Sequence, residues 1–230
     1  MRFPARALSV IAALLATAAL VRPGPVQAQA EGTEYRVLTP AQPTMSPGKI
    51  EVVEFFSYAC PHCADFAPIL ATWRATLAKD VVFRKVPVGF DRPPWINMQR
   101  AYYALLASGD LERLDAKLFT AIHQQQLPLF QEQALFDWVA KNGGDAQKFT
   151  AAYTSFGINN QTVQADKMAE DFQITGVPTM AVDGRYVALG DTQLELLANT
   201  DKLIAKVRAE HAAAAKAAPP AAPPASKKKS

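Results

Sequence analysis

Apolar residues along the chain follow two patterns, one typical of β-strands and one typical of α-helices. The clearest change from one to the other lies between residues 50 and 78. The run Ile50–Phe56 is apolar apart from two acids, and its length predicts a buried β-strand. After a short turn, apolar residues recur at spacings of three and four, which predicts a helix from Cys60 to about Ala78. The helical positions are Phe66, Ile69, Leu70, Trp73 and Leu77.

Further strands are predicted on both sides of a long helical segment. Val81 to Val88 forms a second strand pattern, and its Pro87 indicates a sheet edge or a strand end because proline has no N–H for the ladder. Asp183-Gly184 is a strong hairpin signal. The remaining predicted strands are Tyr35 to Leu38, Thr179 to Val182 and Arg185 to Leu189.

The segment between Pro93 and about Phe172 has a helical period throughout, with Gly109, Gly143-Gly144 and Gly157 as predicted helix stops. A last amphipathic helix is predicted from Leu194 to Ala209. The helices predicted inside the segment are Met98 to Ala107, Leu111 to Gln124, Gln131 to Lys141, Ala146 to Phe156 and Gln161 to Phe172.

Together these elements predict an α/β fold with a mixed central sheet and an inserted all-helical domain. The first two long strands should run parallel because a helix crosses over between them, whereas the last two form a hairpin. The predicted division is a core over residues 29–92, a helical insertion over 93–172 and a return to the core over 173–211.

Both ends of the chain are predicted to lie outside this fold. Arg2 and Arg6 precede an apolar stretch that ends near small residues, which is the pattern of a secretory signal peptide over residues 1–28, cleaved near Ala28 or Ala30. An uncleaved anchor is the alternative, although the stretch is short for a membrane span. Residues 212–230 are rich in Ala, Pro and Lys and predict a disordered tail.

Formal charge argues against a nucleic-acid partner. The full chain has 230 residues, half of them hydrophobic, and a formal charge of +3. The signal segment contains three arginines and no acid, so its removal brings the charge to zero; excluding the four tail lysines leaves the globular part near −4. The fold therefore lacks the net basic character that nucleic-acid binding favours.

Cys60 and Cys63 are the only cysteines. An exported chain enters an oxidising compartment, where such a pair usually forms a disulfide. This Cys60–Cys63 bridge would close a four-residue ring and remove little loop-closure entropy, so stability alone explains it poorly. A structural disulfide and a zinc site remain alternatives, although zinc needs three or four ligands and neither His123 nor His211 forms a paired motif with the cysteines.

The position of this pair at a helix start indicates redox chemistry. Free N–H groups and the helix dipole favour an anion there, which lowers the pKa of Cys60 and raises its fraction of reactive thiolate. His62, in the same turn, can add a hydrogen bond or a positive charge, and Cys63 can attack a mixed disulfide formed at Cys60. Because a stabilised thiolate makes the disulfide a stronger oxidant, Pro61 and His62 can set the direction of electron flow.

The motif Glu-Phe-Phe-Ser-Tyr-x-Cys-Pro-His-Cys at residues 54–63, together with Gly-Val-Pro-Thr at 176–179, resembles the DsbA family of periplasmic thiol:disulfide oxidoreductases, which have a thioredoxin-like fold. The resemblance covers roughly residues 35–210, including the helical segment. It implies that Cys60 is the nucleophile, Cys63 the resolving thiol and Pro178 a cis-proline facing them. The backbone at Val177, before Pro178 and Thr179, would then pair with a substrate strand.

The same resemblance implies roles for two charged residues on neighbouring strands. Glu54 would relay protons or tune Cys63, with Lys85 as its partner; the alternative is a charge pair facing the sheet edge. Ala67 departs from the pattern, because family members can carry another acid there. Any role of that acid is absent here or supplied by another group.

The resemblance therefore implies a monomeric periplasmic oxidase that passes its disulfide to unfolded or newly exported cysteine-containing proteins. A DsbB-like, quinone-linked membrane oxidase would regenerate it, and no metal or soluble cofactor would be needed. Two alternatives remain open: an isomerase or reductase of the same fold, and a peptide-binding chaperone with a structural disulfide. The short stretch before the first active-site strand disfavours an isomerase, which carries an added N-terminal dimerisation region.

Overall fold

The structure, a computed structural model, describes residues 29–217. The predicted signal peptide over 1–28 and residues 218–230 of the predicted tail lie outside the described residues. The elements, in chain order, are β1 (Tyr35–Val37), β2 (Ile50–Phe56), α1 (Pro61–Arg74), β3 (Val81–Pro87), α2 (Pro93–Ser108), α3 (Leu111–His123), α4 (Glu132–Lys141), α5 (Ala146–Tyr153), α6 (Phe156–Asp171), β4 (Thr179–Val182), β5 (Tyr186–Ala188) and α7 (Gln193–Ala217).

The five strands form one mixed sheet in the order β1-β5-β4-β2-β3. As predicted, β2 and β3 are parallel, and Glu54 is paired in register with Lys85. The other pairs are antiparallel. Strand β3 is an edge strand and ends at Pro87, so the prediction made from that proline is confirmed. At the opposite edge, Arg36 of β1 donates to the carbonyl of Phe172 at 2.7 Å, at the end of α6.

Strand β2 is buried along its whole length because helices cover both faces of the sheet. Alternate residues point to opposite faces. Val52 packs in a cluster with α1 and α7, whereas Val53 packs in a second cluster with α6. A third cluster fills the helical insertion and extends to Phe56 and both cysteines. The end of β2 therefore lies where the sheet and the insertion meet.

The hairpin predicted at Asp183-Gly184 is present between β4 and β5. Gly184 has φ +63, a region that residues with a side chain rarely adopt. A Cβ there would lie 2.0 Å from the carbonyl oxygen of Gln42. The turn thus needs glycine for its backbone angle and for its close approach to the preceding loop.

The prediction that Gly157 stops a helix is wrong. Helix α5 already ends at Tyr153, and α6 begins at Phe156 rather than near Gln161. The hydroxyl of Ser155 accepts the backbone N–H of Ile158 at 3.2 Å, so Ser155 is the N-cap. Gly157 therefore lies in the first turn of α6.

Three other helices differ in length from their predictions. Helix α2 begins at Pro93 instead of Met98, because prolines fit the first helical turn, where no backbone N–H is needed. Helix α1 ends at Arg74 instead of near Ala78, because Thr76 N–H bonds the carbonyl of Trp73 at 2.9 Å and tightens the last turn. Helix α7 continues past Ala209 to Ala217, so residues 212–217 of the predicted disordered tail are helical. No helix within residues 29–217 has both the length and the apolar character needed to cross a membrane.

Candidate active site

The active-site turn joins the end of β2 to the start of α1. Ser57 organises it: its carbonyl accepts the N–H of Cys60 at 3.1 Å, and its hydroxyl accepts the N–H of Ala59 at 3.2 Å. Cys60 has extended backbone angles and is the N-cap of α1, while Pro61 occupies the first helical position, where no N–H is needed. The sequence thus places the Cys60 sulfur at the amino end of the helix.

The environment of Cys60 stabilises its thiolate. Both cysteines are free thiols, so the structure represents the reduced form. The pKa of Cys60 is lowered to about 6, first by a hydrogen bond from the thiol of Cys63, against the opposing effect of burial, and then by the backbone N–H groups of Cys63 and His62 and the charge of His62. The side chain of His62 is exposed, and its carbonyl accepts from Gln193 of α7 at 3.2 Å.

The second thiol has the opposite character. Cys63 is completely buried. Burial first, and then its hydrogen bond with Cys60, raises the pKa of Cys63 far above its ordinary value. The charge of Glu54 acts in the same direction. One thiol of the pair is therefore prepared to be an anion, and the other to hold a proton.

The loop before β4 lies against Cys60. The bond between Val177 and Pro178 is cis, as predicted. The Sγ of Cys60 is 3.4 Å from the carbonyl oxygen of Val177, to which Cys60 donates in its protonated form. Thr179 begins β4 and donates through its hydroxyl to the carbonyl of Gly176 at 2.7 Å. The structure thus brings the two separate motifs, around residues 60 and 178, into contact.

Glu54 and Lys85 are paired on the parallel strands β2 and β3, and Glu54 is close enough to Cys63 for its charge to act on that thiol. Glu54 is 1% exposed, and burial raises its pKa to about 7, although Lys85 opposes this. The two side chains approach to 3.9 Å. Lys85 makes shorter contacts with a residue that the sequence did not single out, Asp115 of α3, at 3.0 and 3.2 Å. The predicted pair is therefore part of a larger cluster.

Sequence reasoning missed two further members of this cluster. The hydroxyl of Tyr58 donates to Asp115, and the imidazole Nε2 of His123 lies 2.7 Å from the carbonyl oxygen of Tyr58. His123 forms no motif with the cysteines, so the sequence gives no signal for this contact. A signal for Asp115 did exist: it is an acid on the apolar face of α3, four residues after Leu111 and four before Phe119. Within residues 29–217 no three potential metal-ligating side chains come together.

Comparison with known proteins gives matches over most of the chain. Residues 51–200 match the family model described as DSBA-like thioredoxin domain. The thiol:disulfide interchange protein DsbA of Bordetella parapertussis is 40% identical over 207 residues, which cover 86% of this chain and 94% of that protein. Its counterpart in Pseudomonas aeruginosa is 37% identical over 207 residues, covering 87% and 96%.

Solved structures agree in fold as well as in sequence. The crystal structure of Pseudomonas aeruginosa DsbA has a TM-score of 0.74 at 37% identity and covers 78% of this chain and 95% of its own. That of the oxidoreductase DsbA from Xylella fastidiosa has a TM-score of 0.74 at 34% identity, covering 79% and 98%. The predicted α/β, thioredoxin-like fold is confirmed. This chain belongs to the DsbA family of thiol:disulfide oxidoreductases.

Proposed function

We propose that this chain is a dithiol oxidase, which donates its Cys60–Cys63 disulfide to newly exported proteins. A substrate thiolate attacks the sulfur of Cys60, a mixed disulfide forms, and the electron pair of the broken bond leaves on Cys63. The Cys63 thiolate then takes a proton. A second substrate thiolate attacks the substrate sulfur of the mixed disulfide and releases Cys60 as a thiolate, so the substrate is oxidised and this chain is reduced.

The observation that carries this proposal is the difference between the two thiols. Cys60, with its pKa lowered to about 6, is a good leaving group at neutral pH. Its stabilised thiolate favours the reduced form of the chain, and a favoured reduced form makes the disulfide oxidising. Buried Cys63 is a poor anion and therefore accepts a proton as soon as it is released.

Glu54 is the proposed donor of that proton. A carboxyl group whose pKa is about 7 retains its proton in much of the population near neutral pH. Glu54 is close enough to Cys63 for its ionised form to raise the pKa of that thiol, and Lys85, 3.9 Å away, stabilises the carboxylate that remains after the transfer. In this proposal Glu54 and Lys85 serve the proton step, while Cys60 and Cys63 exchange the electrons.

The substrate would bind beside Val177. The Val177 carbonyl faces the Cys60 sulfur at 3.4 Å, and Pro178 has no N–H that could compete for a partner. An extended substrate segment can therefore pair with this backbone while presenting its cysteine to Cys60. Thr179 continues directly into β4, which fixes the position of the loop.

The proposed place of action is the periplasm. The DsbA relatives support this location, and the predicted signal peptide at residues 1–28 would direct the export. A DsbB-like, quinone-linked membrane oxidase would restore the disulfide, with no metal or soluble cofactor taking part. A monomer suffices, because both thiols, Glu54 and the Val177 backbone come from one chain.

The reduction potential of the Cys60–Cys63 couple, measured against glutathione with the mature protein, tests the direction of transfer. We expect a value well above about −270 mV, the potential typical of thioredoxin. A value near thioredoxin's would instead assign the chain to the reductases. Faster regain of activity by a scrambled substrate than by a reduced one would point to an isomerase.

A second experiment separates redox work from chaperoning. Oxidation of a reduced cysteine-containing substrate should be lost in the Cys60→Ser, Cys63→Ser double variant. If that variant restored disulfides as fast as the unchanged protein, the oxidase proposal would be wrong. Unchanged suppression of aggregation by both proteins, without any disulfide transfer, would identify a peptide-binding chaperone.

A further inference from the structure

One acid of the helical insertion reaches the proton-handling residues of the core. Asp115 is on α3, yet its carboxylate contacts the Lys85 ammonium through both oxygens, at 3.0 and 3.2 Å. The same ammonium is 3.9 Å from Glu54. The Oε2 atom of Glu54 is buried and has no hydrogen-bond partner among the described residues. Lys85 is thus shared unequally, with Asp115 as its closer partner.

The position of Asp115 is fixed by contacts on several sides. The hydroxyl of Tyr58 donates to its Oδ1 atom. Lys85 lies over the ring of Phe56 at 4.0 Å, which limits the movement of the ammonium. His123, two turns further along α3, holds the carbonyl of Tyr58. Helix α3 therefore contacts the active-site turn at two points, through Asp115 and through His123.

The three charged side chains also form a gradient of exposure. The side chain of Glu54 is 2% exposed, that of Lys85 10% and that of Asp115 28%. Glu54 therefore has very little surface of its own through which to exchange a proton with water, whereas Asp115 is more exposed to solvent.

We propose that Asp115 is a positioning residue of the thiol:disulfide exchange, which draws Lys85 away from Glu54 and so keeps Glu54 protonated and able to supply Cys63. The inference rests on the proposed role of Glu54. In each turnover the proton passes from the Glu54 carboxyl group to the Cys63 thiolate, and water then returns a proton to Glu54. Asp115 exchanges no electrons and touches no substrate; it acts through Lys85 and through its own negative charge.

All charged and titratable groups that act on Glu54 enter this balance. Lys85 and Arg74 favour the carboxylate, while Asp115 and burial favour the neutral acid. The remaining groups are neutral when protonated and couple to Glu54 only if they ionise. These are Cys63 of α1, Tyr58 of the active-site turn and Tyr102 of α2. Neutralising Asp115 removes its electrostatic repulsion of the Glu54 carboxylate. It also lets Lys85 interact with Glu54 without competition from Asp115, so both changes favour the carboxylate.

The direct test is a carbon-13 NMR titration of the Glu54 carboxyl group in the reduced protein. We expect the Asp115→Asn variant to titrate at lower pH by roughly one unit, about tenfold in proton affinity. Asp115→Ala should give the same shift, and Asp115→Glu should return the midpoint towards that of the unchanged protein. The matched control is Glu112→Gln, which removes an exposed charge from the same helix. An unchanged midpoint in the Asn and Ala variants would overturn the inference.

The role of Lys85 is tested in the same titration. In a Lys85→Met background, Asp115→Asn should shift the Glu54 midpoint less than it does alone, because only the direct effect of the two acids remains. Equal shifts in both backgrounds would exclude action through Lys85.

Kinetics connects the titration to function. The rate of substrate oxidation, corrected for the thiolate fraction of the substrate, should fall as pH rises and Glu54 loses its proton. In Asp115→Asn this fall should occur at a lower pH than in the unchanged protein, and the displacement should equal the shift in the NMR midpoint. The Glu112→Gln profile should match the unchanged protein. An unchanged protein that oxidises no substrate would refute the proposed function. A working oxidase with identical profiles in all three proteins would refute only the role of Asp115.

Discussion

Replacement of Cys63 by alanine removes the thiol whose hydrogen bond contributes most to the lowered pKa of Cys60. Replacement by serine keeps a hydroxyl donor in the same place. The two variants are nearly equal in size. Both abolish the disulfide and leave the amino end of α1 unchanged. A difference between them therefore reports the hydrogen bond to the Cys60 sulfur.

The expected size of the effect follows from the pKa. The lowering from 9.0 to about 6 corresponds to ~4 kcal/mol before solvent screening reduces it. A hydrogen bond to a charged group contributes about 1.5–3 kcal/mol. We therefore expect the pKa of Cys60 to rise by roughly 1–2 units in Cys63→Ala and to stay near that of the unchanged protein in Cys63→Ser.

The ultraviolet absorbance of the thiolate, followed against pH, measures this directly. With a pKa of about 6, Cys60 is about 90% thiolate at neutral pH, and in Cys63→Ala the fraction should fall to between about 50% and about 10%. The rate of alkylation at neutral pH should fall in proportion. If Cys63→Ala and Cys63→Ser titrated alike, the helix terminus rather than the Cys63 thiol would be responsible, and our account of Cys60 would be wrong.

Three further predictions concern stability. Because the pKa of Glu54 is raised from 4.5 to about 7, the folded state binds more protons than the unfolded state between these values. Urea unfolding should therefore show a stability loss of ~3 kcal/mol as pH rises through this window, a loss absent in Glu54→Gln. His123→Ala leaves the carbonyl of Tyr58 without its partner at 2.7 Å and should cost about 1–3 kcal/mol, measured against His123→Gln, whose amide can still donate; equal losses would discount the bond. Gly184→Ala forces a Cβ to within 2.0 Å of the Gln42 carbonyl at φ +63 and should lower stability by more than ~1 kcal/mol; unchanged unfolding would show that the turn can relax.

Elements with a strong local signal were predicted most accurately. Strands β2 and β4 have the predicted bounds, because one is a continuous apolar run and the other adjoins Asp183-Gly184. The start of α6 differs from its prediction, because the pattern predicts a helix stop at Gly157, whereas Ser155 caps the helix two residues earlier. A glycine in a first helical turn and a glycine after a last turn look alike in sequence.

The candidate site divides in the same way. The cysteine pair and Pro178 were identifiable from motifs, and the structure places them in contact through Val177. Asp115 was not, because its partners are 30 and 57 residues away in sequence and only tertiary packing brings them together. An acid on an apolar helix face indicates that a buried cation or donor lies opposite, but local pattern alone does not identify it.

The two edges of the sheet have a consequence for a protein that would meet unfolded chains. An exposed strand edge offers unpaired N–H and C=O groups, on which such chains can add as extra strands and start aggregation. Here β1 is only three residues long and is tied to the end of α6 by Arg36. Strand β3, at the other edge, carries Arg84 and Lys85 and ends in proline. Both edges therefore discourage indiscriminate strand pairing, and this would favour the proposed docking of a client on the backbone beside the thiols.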